Sequence, residues 1–146
     1  FATIYLSPKD YHRIHMPCDG VLISMKYIPG NLFSVNQNTV NQVKSIFARN
    51  ERLICLFDTD FGVMAFVLVG AIFVGSMQTE WQGQITPPYS KTVINYEYKG
   101  REISLAKGDE LGRFNMGSTV IMLLPEDFPE MNLHAGQQLK MGQALI

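Results

Sequence analysis

The chain has 146 residues, 47% of them hydrophobic, which is enough apolar material for one domain with its own core. A net charge of −1 and a pI of about 6.3 argue against the basic footprint of a nucleic-acid-binding surface. Cys18 and Cys55, the two cysteines, have neither CxxC nor framework spacing, so they read as reduced thiols and not as a disulfide scaffold.

In chain order, residues 1–6 read as a strand, with no basic n-region or cleavage signal of a secretory leader. Because the strand pattern starts at once and the first residue is not Met, further sequence is expected upstream. Ser7, Pro8, Lys9 and Asp10 predict a turn or a single helical turn leading into residues 11–15, and Pro17 to Gly20 a second turn before a strand over 21–28. Pro29 and Gly30 end that strand. Residues 38–45 are polar and loop-like, and order returns over 46–49. Residues 52–57 and 62–69 predict a hairpin across 58–61. Further strands are expected over 71–79, 92–98 and 101–105, the last two joined at Lys99 and Gly100.

The apolar run over 63–77 is shorter than the roughly 18 residues a spanning helix needs. Its Val, Ile and Phe content and its glycines, Gly70 and Gly75, favour buried strands broken by a bend. No segment keeps a 3.6-residue apolar period. The expected fold is mostly β, a compact barrel or sandwich of short, largely antiparallel strands with few short helices, in a single domain over 1–146.

Chemistry concentrates in two places. From Lys107 to Ile121 the chain carries Gly108, Gly112 and Gly117 followed by Ser118 and Thr119. The glycines suit a glycine-rich β-turn, but a glycine before a serine also lets the backbone bend so that the hydroxyl approaches the preceding carbonyl. The second place is Asp10-Tyr11-His12-Arg13-Ile14-His15-Met16-Pro17. Two histidines three apart suit core positions, zinc ligation or acid–base work. Without HExxH or a third ligand cluster, metal is the poorest of the three. His134, the remaining histidine, sits in a polar C-terminal segment.

Together these stretches resemble the bacterial phosphatidylserine decarboxylases. The resemblance is carried by residues 1–8 and 10–17, by Asn31-Leu32-Phe33-Ser34-Val35-Asn36, by Phe47-Ala48-Arg49-Asn50-Glu51-Arg52, and by the G-x-E-x-G-x-F-x-x-G-S-T run from Gly108 to Thr119. It covers the chain to about Leu123, with the motifs in the family's order. Met116 stands where the family has Leu, a change that keeps volume and apolarity. The aspartate that the family uses in self-processing lies upstream of the histidine motif, in a segment this sequence lacks.

The resemblance implies a catalytic domain that cuts itself between Gly117 and Ser118 and converts Ser118 into a covalent pyruvoyl cofactor. Ser118 would attack the Gly117 carbonyl, and elimination and hydrolysis of the resulting ester would leave the pyruvoyl group. His15 is the implied base, oriented by the absent aspartate, and His12 the implied group for substrate contact and proton handling. No metal is implied. The implied reaction is the decarboxylation of phosphatidylserine to phosphatidylethanolamine, with the pyruvoyl as electron sink. The implied setting is the cytoplasmic face of the bacterial inner membrane, held peripherally. Expected partners are phosphatidylserine, the upstream segment and the membrane surface, not nucleic acid; a homodimer is left open. Met16, Phe33 and Phe114 fit either the core or an acyl-chain route, with the core favoured.

Two rival readings use the same β-rich pattern without catalysis. A lipoyl- or biotinyl-type carrier needs a modifiable lysine on a tight hairpin, for which Lys99 is the nearest candidate. A sugar-transport phosphocarrier explains paired histidines but leaves the Gly-Ser-Thr run unused.

Overall fold

A computed structural model describes residues 1–72, 76–98 and 100–146. Among them the chain forms β1 Ala2–Leu6, β2 Arg13–His15, β3 Gly20–Ile28, α1 Gln37–Gln42, α2 Ile46–Arg49, β4 Arg52–Thr59, β5 Gly62–Val69, β6 Met77–Thr79, β7 Gly83–Thr86, β8 Ile94–Tyr96, β9 Ser104–Leu105, β10 Glu110–Phe114 and β11 Ser118–Leu123. Seven strands form one sheet in the order β1-β11-β5-β4-β3-β8, with β9 also on β3, and four form a second in the order β2-β10-β6-β7. Every strand pair is antiparallel. The sheets do not close on each other, so of the two expected architectures the molecule is the sandwich.

The large sheet is built where alternation and β-branching are strongest. In β4, Leu53, Cys55 and Phe57 are fully buried while their neighbours are not, the period of two that directs one face inward. β5 pairs with β4 along its whole length through a two-residue turn at Asp60 and Phe61. Gly62 closes that turn at φ 109, a conformation a Cβ would resist. The small sheet adds Ile14, Met77, Ile85, Leu111 and Phe114 to the same core, together with Met16 beyond β2. Each large buried side chain contributes roughly 1.5–3 kcal/mol. Beyond β11 the chain continues without strand or helix, and Leu124, Phe128, Met131, Leu133 and Leu145 pack against the core.

The sequence reading differs from this in several places. Residues 38–45 are not all loop: α1 starts behind Asn36, whose side chain accepts from the Thr39 amide. None of its residues is buried, so no apolar period advertises it. The strands expected over 92–98 and 101–105 shorten to β8 and β9, because each finds only a few partners on β3. Of 71–79, β6 is the ordered strand; Phe73, Val74 and Gly75 lie outside the described residues, as does Lys99. β7, β10 and β11 were not anticipated as strands. In β10 and its approach to β11 the glycines masked the pattern, and pairing with β2, β6, β1 and β5 supplies the order that propensity lacks.

Candidate active site

The turn expected after β1 forms: the Asp10 amide donates to the Ser7 carbonyl at 2.9 Å, and the Ser7 amide to Asp10 Oδ2 at 2.7 Å. On both sides of it the chain stays antiparallel to the same segment, residues 6 and 12 lying beside 118 and 114. At one end the Phe114 amide donates to the His12 carbonyl at 3.0 Å. At the other, Leu6 pairs with Ser118. Gly117 lies against this turn so closely that a Cβ there would sit 2.8 Å from the Leu6 carbonyl oxygen and 2.9 Å from the Pro8 nitrogen. Glycine is therefore required at 117 for close approach, as well as for any freedom to bend.

Ser118 is fully buried, and among the described residues its hydroxyl has no hydrogen-bond partner; nor have the Thr119 hydroxyl and the buried Nε2 of His12. Leaving a buried polar group unpaired costs about 1–3 kcal/mol. A buried, unpartnered hydroxyl directly after Gly117 marks a place shaped for something other than stability. Asn115 is tied to Ser76 by both backbone (3.2 Å) and side chain, which holds the run into Gly117.

His15 is held differently. Its Nδ1 lies 2.7 Å from the Gly108 carbonyl, which can only accept, so Nδ1 carries a proton. In the neutral ring Nε2 then accepts from the Tyr11 hydroxyl at 2.8 Å. Tyr11 also stacks on the imidazole, with centroids 5.8 Å apart. By register His15 stands opposite Glu110, four residues before Phe114 in β10, and no hydrogen bond joins it to Ser118. The fold thus brings His12 to the chain that leads into Gly117, and seats His15 at the far end of the same strand pair.

Around β10 a charge cluster braces the small sheet. Glu110 lies 2.5 Å from Arg13 and 2.7 Å from Arg113, which also pairs with Glu80. Burial opposes ionisation of Glu110, but the Arg13 hydrogen bond and the two guanidinium charges hold its carboxyl below the usual range. Gly112 is required here: a Cβ would lie 2.3 Å from the Gln78 carbonyl oxygen.

A second polar cluster was not singled out from the sequence. Glu51 is 3% exposed and accepts from the Tyr27 hydroxyl at 2.9 Å, with Tyr27 itself buried. Beside it Asn50, fully buried, binds both backbone atoms of Phe33 and the carbonyl of Gly70. The available signal was parity: Glu51 is the charged member of the series 51, 53, 55, 57 whose other members are apolar. Met16 and Phe114 belong to the core, as favoured, while Phe33 stacks under Arg49 at 4.8 Å. His134 lies in an exposed C-terminal turn. Among the described residues no group of histidine, cysteine and carboxylate side chains is arranged to hold a metal, and no helix is long and apolar enough to cross a membrane.

The family model for phosphatidylserine decarboxylase matches residues 1–146. A phosphatidylserine decarboxylase proenzyme of Nitrosococcus oceani is 58% identical over 148 residues, covering 99% of this chain and 48% of the relative. Those of Methylococcus capsulatus and Vibrio parahaemolyticus are 53% and 54% identical over 147 residues, covering 99% and 97% of this chain and 51% and 52% of the relatives. The chain spans about half the length of these curated relatives. A match along its whole length, at this identity, means that the chain belongs to the phosphatidylserine decarboxylase family.

Proposed function

We propose that this chain supplies the catalytic part of an enzyme that decarboxylates phosphatidylserine to phosphatidylethanolamine, using a pyruvoyl group made from its own Ser118. The observation that carries the reading is the buried, unpartnered Ser118 hydroxyl directly after a glycine pinned against Leu6 and Pro8. The residues fit the group. Converting Ser118 to a ketone removes a hydroxyl that makes no hydrogen bond, and β11 from Thr119 onward keeps its pairing with β1 and β5.

In processing, Ser118 attacks the Gly117 carbonyl and the chain divides after residue 117. His15 serves as base for that attack once a carboxylate from the upstream segment orients it and draws it from the Tyr11–Gly108 seat. His12, whose Nε2 is buried and unpaired, contacts the bound substrate and moves protons during turnover. When formed, the pyruvoyl supplies the electron sink that lets carbon dioxide leave an amine-bearing substrate. Membership of a family whose relatives are named proenzymes supports the processing step, and it favours the enzyme over the carrier readings. The upstream segment and the membrane surface complete the site for a phospholipid, at the cytoplasmic face of the inner membrane, and a homodimer is compatible with it.

The test uses the full-length protein. Intact mass should show a C-terminal piece that starts at residue 118 and is blocked to Edman degradation, and Ser118→Ala should remain one chain and release no carbon dioxide from phosphatidylserine. A free serine amine on the wild-type piece, or turnover by Ser118→Ala, would overturn the reading.

A further inference from the structure

Neither the cut nor the turnover proposed above uses Glu51, although a buried carboxyl whose side-chain donor among the described residues is one tyrosine is costly to keep. Its position follows from register. Ser118 pairs with Leu6 on β1, and extending the Thr119–Val69 register by one step sets it opposite Gly70, just past β5. The Gly70 amide in turn donates to the Glu51 carbonyl at 2.9 Å. Leu6, Ser118, Gly70 and Glu51 form one row across the large sheet. Residues in a row share a face, and this is the core face, because Glu51 has the parity of Leu53, Cys55 and Phe57.

Gly70 leaves room in the row for the Glu51 side chain. A Cβ on Gly70 would lie 2.7 Å from both Cγ and Oε1 of Glu51, so the glutamate side chain lies across the glycine, between its own strand and Ser118. With directly opposed Cβ positions about 4.5–5.5 Å apart, Oε1 is less than about 8 Å from Ser118 Cβ. The Gly70 amide points to Glu51, so toward β11 Gly70 turns its Cα. That makes Gly70 and Ser118 the closely spaced, non-hydrogen-bonded kind of pair, with Cα atoms about 4.5 Å apart and facing. The Cα proton of Ser118 is thus directed at the residue that Glu51 covers.

We propose that Glu51 is the base of the elimination step, accepting the Cα proton of residue 118. The proposal rests on the pyruvoyl reading above and supplies a residue for a step that His12 and His15 leave without one. Once the hydroxyl has attacked, Oγ carries the Gly117 acyl group as an ester. The Glu51 carboxylate removes the Cα proton, the C–H electron pair forms the Cα–Cβ double bond, and the Cβ–Oγ bond breaks with its pair leaving on the Gly117 carboxylate. Water converts the remaining enamine to the ketone and releases ammonia. Burial raises the Glu51 carboxyl above its usual range, partly offset by Tyr27, which makes it a stronger base than a solvated glutamate.

The experiment follows processing of the full-length protein by intact mass, with and without hydroxylamine, which splits esters but spares amides. Glu51→Gln should fold, form the ester, and eliminate about 10²–10⁴-fold more slowly. Hydroxylamine should then release a C-terminal piece that begins with serine. Wild-type elimination should quicken as pH rises through the Glu51 pKa, and Tyr27→Phe, which removes the donor that stabilises the carboxylate, should move that limb to higher pH. Pyruvoyl formation by Glu51→Gln within tenfold of wild type, or a block with no hydroxylamine-labile ester, overturns the proposal. If Glu51→Gln does not fold, an unmoved pH limb in Tyr27→Phe overturns it. Cutting of Ser118→Ala is scored separately and overturns the pyruvoyl reading itself.

Discussion

Two glutamates sit in contrasting regions of this sandwich. Glu51 lies on the inner face of the large sheet, buried, with one tyrosine hydroxyl on its carboxyl. Glu110 lies on the small sheet between Arg13 and Arg113, near the surface. Their carboxyls are pushed in opposite directions: burial raises Glu51, whereas at Glu110 burial is outweighed by Arg13, Arg113 and Glu80 together, which lower it. The Glu110 cluster is charge-balanced and reads as bracing. The Glu51 row, with the unpartnered Ser118 hydroxyl two strands away, spends stability on arrangement, which is expected where chemistry is done.

The row is most sharply broken at Gly70. Gly70→Ala puts a methyl 2.7 Å from Glu51 Cγ and Oε1, so the carboxyl must leave its place. We expect pyruvoyl formation in the full-length protein to slow by about two orders of magnitude, read by intact mass over time. Processing at the wild-type rate would separate Glu51 from Ser118 altogether.

Next come the histidines. His15→Ala should impair the cut between Gly117 and Ser118, whereas His12→Ala should still be cut but decarboxylate poorly, each by about 10²–10⁴-fold. Cleavage time courses and single-turnover carbon dioxide release on the two variants check this; exchanged phenotypes would exchange the roles. Tyr11→Phe, which loses the hydroxyl bound to His15 Nε2, should change the rate of cutting and leave turnover of already cut enzyme unchanged.

On the bracing side, Gly112→Ala should destabilise the fold by about 1–3 kcal/mol, because its Cβ would meet a backbone carbonyl that cannot move alone. Chemical denaturation measures it, and an unchanged midpoint would show that β10 and β6 separate freely.

The smallest effects are on stability against pH, and they carry opposite signs. Glu110 has a lowered folded-state pKa, so its contribution is present above about 4.5 and is lost as pH falls through the folded value. Glu51 has a raised pKa, so its contribution is complete below about 4.5 and is lost as pH rises through the folded value. Glu110→Gln should remove a gain of within about 1 kcal/mol at neutral pH, and Glu51→Gln should remove a loss there. Thermal melts of both variants from pH 3 to 8 test this, and shifts of equal sign would erase the contrast.

What the sequence determined by itself is local or motif-borne. Alternation in 52–57 and the β-branched run in 62–69 directed the central hairpin, the turn at Ser7 to Asp10 was legible from its residues, and the resemblance supplied Gly117, Ser118, His12 and His15 as candidates. The tertiary structure decided the rest, because it depends on partners distant in the chain. β10 and β11 are strands because β2, β6, β1 and β5 offer them edges. Gly117 is pressed on Leu6 only when the first and eleventh strands meet. Glu51 reads in sequence as one charge in an exposed-looking Asn-Glu-Arg run. Its row with Gly70 and Ser118 exists only through the pairing of β4, β5 and β11, and cross-strand register is set by long-range packing that no local window contains.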